Sequence, residues 1–206
     1  MIKSIQQFQE KGVKNLEEVF VNYSSDMTKI AEMVYGVRDE VINLGLSMIA
    51  EEWEFYDEKL RTNKQLRKGW YIVRRDETTL LTSLGSVTYH KTLFKNVQTG
   101  EYEYLLDRVM GIEKHARITE DAEAKILEEA AESSYRKGGN SVCITEDTVS
   151  KETVMNKIHA LQFPKITADG VKKQVPYLYI DADEDHVSLQ YIEKKGDIKK
   201  QRTNKI

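Results

Sequence analysis

The spacing of apolar positions changes character along the chain and divides it into stretches. From residue 14 to 66 the spacing is helical. Ile30, Val34, Val37, Val41, Leu44 and Met48 alternate steps of four and three, which lines them up on one side of a helix. The same spacing is that of a heptad seam, so a coiled-coil partner is one option. Three heptads are few, and Gly36 and Gly45 weaken the helix, so packing against the chain's own domain is the expectation. At "KGWYIVRRD" the period becomes that of strands. Residues 70–75, 79–84 and 86–94 are rich in Tyr, Val, Thr, Leu and Ile, and "NVQTGEYEYLL" reads as a hairpin loop with a return strand.

Helical spacing returns at 119–136, where Thr119 is a suitable N-cap and Glu120 and Asp121 suit the first turn. "KGGNSVCITED" interrupts it or forms a short irregular helix. A second helix follows over "SKETVMNKIHAL", with Ser150 as N-cap and Val154, Ile158 and Leu161 as its apolar stripe; Pro164 ends it. Two helices about a glycine-containing break have the outline of a helix-turn-helix. The second would present Lys151, Asn156, Lys157 and His159 away from its apolar stripe, and such donors suit phosphates and base edges. An ordinary helical hairpin with a solvated polar face accounts for the same pattern. The expected class is α+β, with a helical region over 1–68, a small antiparallel β region over 69–112, a helix-turn-helix-like segment over 113–166 and a β-hairpin within 175–206.

Composition narrows the partners. The 206 residues carry a net charge of −3, which disfavours a globally basic coat for nucleic acid but permits local basic patches. Two such patches stand out: Arg61 to Arg75 with Trp70 and Tyr71, and a tail from Lys194 to Lys205. The single cysteine, Cys143, makes neither an internal disulfide nor a cysteine-based zinc site, and is expected to be a buried thiol in a reducing compartment. No apolar run reaches the roughly 18 residues of a membrane span, and the amino terminus is too polar for a secretory signal. A cytoplasmic protein is the expectation.

The acidic stretch "YLYIDADEDHVSLQY" carries the remaining chemistry. Asp181, Asp183 and Asp185 have the spacing of a calcium loop, but His186 and Ile192 stand where an EF-hand needs Gly and Glu. A solvated turn is one reading. A strand edge that supplies one or two metal ligands for phosphoryl transfer is another, since alternation places these three aspartates on one face.

Taken in order, "GWYIVRRDETTLLTSLGSVTYHKTLFKN", "TGEYEYLLD", "TEDAEAKILEEAAESSYRKGG", "VSKETVMNKIH" and "YIDADEDHVSLQ" closely resemble the amino-terminal half of the ISLre-type insertion-sequence transposases, related to the mutator-like DDE group. The resemblance runs from about residue 50 onward. It implies a DNA transposase whose amino-terminal region binds element ends and whose RNase H-like domain carries an Asp-Asp-Glu triad with Mg²⁺. Asp183 best matches the first triad aspartate, with Asp181 as the alternative, and the metal set would be Asp183, Asp181 and Asp185. The rest of the triad is not in these 206 residues. The expectation is therefore a DNA-binding fragment, truncated or from a split frame, that does not transpose alone and binds Mg²⁺ loosely. A repressor that occupies element ends or mixes with full-length transposase is the alternative. DNA, a second copy and full-length transposase are the expected partners.

Overall fold

The computed structural model describes residues 2–162 and Tyr177. The residues up to Gln162 form one compact unit. The C-terminal β-hairpin expected within 175–206, with Asp181, Asp183 and Asp185, lies outside the described residues.

Among the described residues the architecture is α+β, with helices and one three-stranded antiparallel sheet. Helix α1 (Lys3–Gln7) runs through a π-helical turn, Phe8–Gly12, into α2 (Val13–Ser25). Helix α3 (Ile30–Thr62) then turns back along both. The single helix expected over 14–66 is thus a hairpin. Asp26 breaks it by adopting an extended backbone, and its Oδ1 accepts from the Thr28 N–H at 3.1 Å and the Thr28 hydroxyl at 2.6 Å. This side-chain turn competes with helix continuation, and "SDMT" was its signal.

Strands β1 (Trp70–Leu81), β2 (Ser86–Asn96) and β3 (Tyr102–Tyr104) form the sheet in that order. The two strands expected at 70–75 and 79–84 are one. Asp76 and Glu77 do not turn the chain, because Asp76 accepts from Arg74 Nε at 2.9 Å and the Tyr104 hydroxyl at 2.8 Å while staying paired with Lys91. The reversal comes at Thr82–Gly85, where each residue's N–H bonds the other's carbonyl. Gly85 has φ +151°, and a Cβ there would meet Thr145 at 2.8 Å, so a side chain is excluded twice.

Helix α3 also completes the sheet. Its Glu54 Oε1 accepts the His90 N–H at 2.8 Å, and Asp57 accepts both the N–H (2.8 Å) and the hydroxyl (2.6 Å) of Thr92. Beyond these residues β3 takes over, pairing with Leu93–Lys95. Carboxylates one helical turn apart thus satisfy strand donors that no neighbouring strand reaches. The first core lies beneath, where Tyr89, Phe94, Leu105 and Leu106 are sealed from solvent and Trp53 meets the Tyr89 ring edge-on with centroids 4.8 Å apart. Leu105 and Leu106 come from α4 (Leu105–Met110).

Helices α5 (Glu120–Glu132), α6 (Tyr135–Asn140) and α7 (Lys151–Ala160) enclose a second core of Ala122, Ile126, Ala130, Val142, Cys143 and Val154. The sheet hairpin plugs into it. Leu81 donates to Arg117 and accepts from Thr119, Ser83 donates to Asp121, and Ser86 donates to Asp147.

One expectation about packing is reversed. Of the stripe on α3, Ile30, Val34, Val41 and Met48 face solvent, and only Val37 and Leu44 are half-buried. The face that packs on the sheet is the opposite one, with Leu46, Ile49 and Trp53.

Candidate nucleic-acid interface

Helix α7 starts where the Ser150 hydroxyl accepts the Thr153 N–H at 3.2 Å, an ordinary N-cap. Val154, fully buried, and Ile158 fix its inner face, so the outer face follows from helical geometry. Lys151, Asn156 and His159 are exposed. Lys157 is not a free donor: it is half-buried and its ammonium is paired with Glu123 of α5. Glu152 shares the outer face. Its own backbone N–H, at the start of the helix, holds its carboxyl below the ordinary range, and Lys151 lies 3.6 Å away.

The surrounding charge selects one side of this unit. Helix α5 carries Glu120, Asp121, Glu123, Glu128, Glu129 and Glu132 against Lys125 alone, so it repels phosphate. Helix α6 is basic: Arg136 and Lys137 are both exposed. It packs on α7 and the segment before it: a Cβ on Gly139 would lie 2.1 Å from the Val149 carbonyl oxygen and 3.5 Å from a Val154 methyl. Arg136 and Lys137 escaped the sequence reading because the helix they sit on is only one and a half turns long. Helices α5, α6 and α7 make three helices rather than two, and a ten-residue connection, 141–150, stands where a helix-turn-helix has a tight turn.

The basic and aromatic stretch around Trp70 and Tyr71 forms a second surface. Tyr71 pairs with Lys95, and Lys95 with Tyr102, across the three strands. Side chains in register share a face. The Tyr102 hydroxyl first, and Tyr71 second, hold the Lys95 ammonium above its ordinary range. Tyr71 is 45% exposed and Tyr102 54%, so their rings flank a cation in the open. Such a surface suits stacking against bases beside a phosphate contact.

Among the described residues no group of three or more His, Cys, Asp or Glu is placed to hold a metal ion. Cys143 is buried, with its Sγ near the Thr145 hydroxyl at 3.2 Å and the Asp147 carbonyl at 3.3 Å, as expected of a structural thiol. No described helix is long and apolar enough to cross a membrane.

Residues 24–204 match the model of UPF0236, an uncharacterised protein family. Relatives come from Caldanaerobacter subterraneus subsp. tengcongensis. One UPF0236 protein is 33% identical over 178 residues, covering 86% of this chain and 38% of its own length. A second is 33% identical over 174 residues, covering 84% and 37%. The name of the first joins eleven locus designations and that of the second joins four. The chain thus spans well under half the length of these relatives. No solved structure is matched.

Proposed function

This chain belongs to the uncharacterised protein family UPF0236, and on that premise we propose that it is the DNA-binding, amino-terminal part of a DDE-type insertion-sequence transposase. One observation carries the proposal. A relative 33% identical has one protein name for eleven loci of one genome. One protein name at many loci of one genome fits DNA that copies itself, and the product of such a sequence fits the enzyme that moves it. The ordered motifs that resemble ISLre-type transposases support the same reading, as do two basic surfaces on a chain of net charge −3.

In this reading Lys151, Asn156 and His159 of α7, with Arg136 and Lys137 of α6, face the element ends. Lys157 serves the fold through Glu123 and reaches DNA only if that pair opens. Asp183, with Asp181 as the alternative, is the first carboxylate of the triad, and Mg²⁺ is the cofactor. Two-metal phosphoryl transfer needs carboxylates converging from several strands, so the 206-residue chain binds ends without cutting them.

The test is a mobility shift with the DNA that flanks the coding sequence, set against a shuffled duplex of equal length. Binding that prefers the flanking DNA and weakens with salt is expected. Equal affinity for both duplexes would remove the proposed specificity. Nicking in Mn²⁺ that is lost in Asp183→Ala would overturn the claim that this chain alone is inactive.

A further inference from the structure

The helical hairpin of α2 and α3 has one broad side that is apolar and open to solvent. Its contact line is known at two points: Asn15 hydrogen-bonds Glu40 at 2.8 Å, and Gly36 lies so close to Val19 that a Cβ would meet its methyl at 2.7 Å. Each step down α2 is therefore one step up α3. One residue forward turns a helix by about 100°. Because antiparallel helices turn in opposite senses seen from one end, a forward step from the contact line carries both to the same broad side. From Val19 that step reaches Phe20, and from Glu40 it reaches Val41; both are exposed apolar residues. A backward step reaches Glu18 and Asp39, on the other side.

The apolar side repeats every seven residues on both helices. On α2 and the turn after it the repeat is Val13, Phe20 and Met27; on α3 it is Val34, Val41 and Met48. All six are exposed, Met27 at 67% and Val41 at 55%. The levels match, so Phe20 stands beside Val34 and Val13 beside Val41. From Ile30 to Met48 the side is about 27 Å long and roughly 20 Å wide, which with side-chain relief matches a standard interface of ~800 Å² per partner. Exposed apolar patches of this size mark binding surfaces.

We infer that this side binds a second copy of the chain, forming a four-helix bundle about a two-fold axis parallel to the helices. Charge at the rim selects that occupant and that axis. On the outer flank of α2 stands Glu17, with no ion-pair partner among the described residues; level with it, on the outer flank of α3, stands Arg38. Among the described residues Arg38 has one ion-pair partner, its exposed neighbour Asp39 at 2.7 Å, a pair of little worth in water, and its guanidinium lies over the Tyr35 ring at 4.8 Å. A two-fold axis along the helices keeps every residue at its level and lays α2 of one copy against α3 of the other. Glu17 then faces Arg38 of the other copy twice, Phe20 packs on Val34 and Val13 on Val41, and adjacent helices run antiparallel, as bundles prefer. None of this depends on the transposase reading.

The experiment is sedimentation equilibrium of the full 206-residue chain at micromolar concentration. The expected mass is twice 23.9 kDa. Val34→Glu and Val41→Glu should each raise the dissociation constant by roughly 100-fold, since each buries an unpaired charge in the interface. Helical circular dichroism should stay unchanged, because both positions are on the surface of the monomer. Glu17→Arg and Arg38→Glu should each weaken the dimer, and the double variant should restore it. A monomeric wild-type chain, or a dimer indifferent to Val34→Glu and Val41→Glu, overturns the inference; failure of the double variant to rescue overturns the two-fold arrangement.

Discussion

Asp57 is fully buried, and a buried carboxyl group is tolerated only where hydrogen-bond partners meet it. Here both oxygens are used, by the N–H and hydroxyl of Thr92. Asp57→Ala strands both donors, and we expect a loss of about 3 kcal/mol in urea denaturation, with Asp57→Asn costing less because one acceptor survives. Gly139 shows the complementary constraint of space. Gly139→Ala drives a methyl into the Val149 carbonyl and should cost ~2–3 kcal/mol, whereas Gly45, with nothing within 4 Å of its Cβ position, should accept alanine with a gain. Composition could not distinguish these two glycines.

The start of α5 illustrates how an element is anchored by its neighbours. Burial alone would raise the Asp121 carboxyl, but hydrogen bonds from Ser83, Thr119 and the α5 backbone outweigh it and hold it at about 2. A depressed pKa stabilises the fold above the unfolded value near ~3.9 and loses that stabilisation as pH falls toward about 2. The carboxylate is open to solvent, so screening reduces the effect to about 1 kcal/mol. Asp121→Asn should therefore lower stability at pH 7 and flatten its decline between about pH 4 and pH 2, read by thermal unfolding across that window. On α7 the prediction concerns charge. Lys151→Ala should reduce the slope of log affinity against log salt by about 1, while Lys157→Ala, whose ammonium is already engaged by Glu123, should change it less. Equal slopes for the two variants would place the interface elsewhere.

For the molecule as a whole, the described residues contain two apolar cores joined by the tip of the β1–β2 hairpin. The join falls between two neighbours: Leu80 is buried in the first core, and Leu81, which ends β1, packs on the second, where it bridges to Ile118. Both tryptophans, Trp53 and Trp70, pack on the first core. If the cores unfold together, Gly139→Ala in the second should lower the midpoint of tryptophan fluorescence as far as that of far-ultraviolet circular dichroism. A fluorescence midpoint that stays put would show the cores to be independent.

The sequence by itself determined whatever depends on near neighbours. The alternation of Tyr71, Val73 and their successors specifies strands, and Ser150 specifies where α7 starts, because a side chain three residues from the N–H it accepts needs no distant partner. The ordered motifs resemble ISLre-type transposases, and membership of UPF0236 is what the same linear information establishes. Elsewhere two local readings competed, and tertiary contacts chose. Asp76 and Glu77 look like a turn until Tyr104 and the strand partners hold them extended. Lys157 looks like a DNA ligand until Glu123 comes alongside from 34 residues away. The stripe on α3 looks like the buried face, but α3 is apolar on two sides, and periodicity reports only that a face is apolar, not what covers it. The sheet covered Leu46, Ile49 and Trp53, and it left Val34 and Val41 to solvent or to a partner.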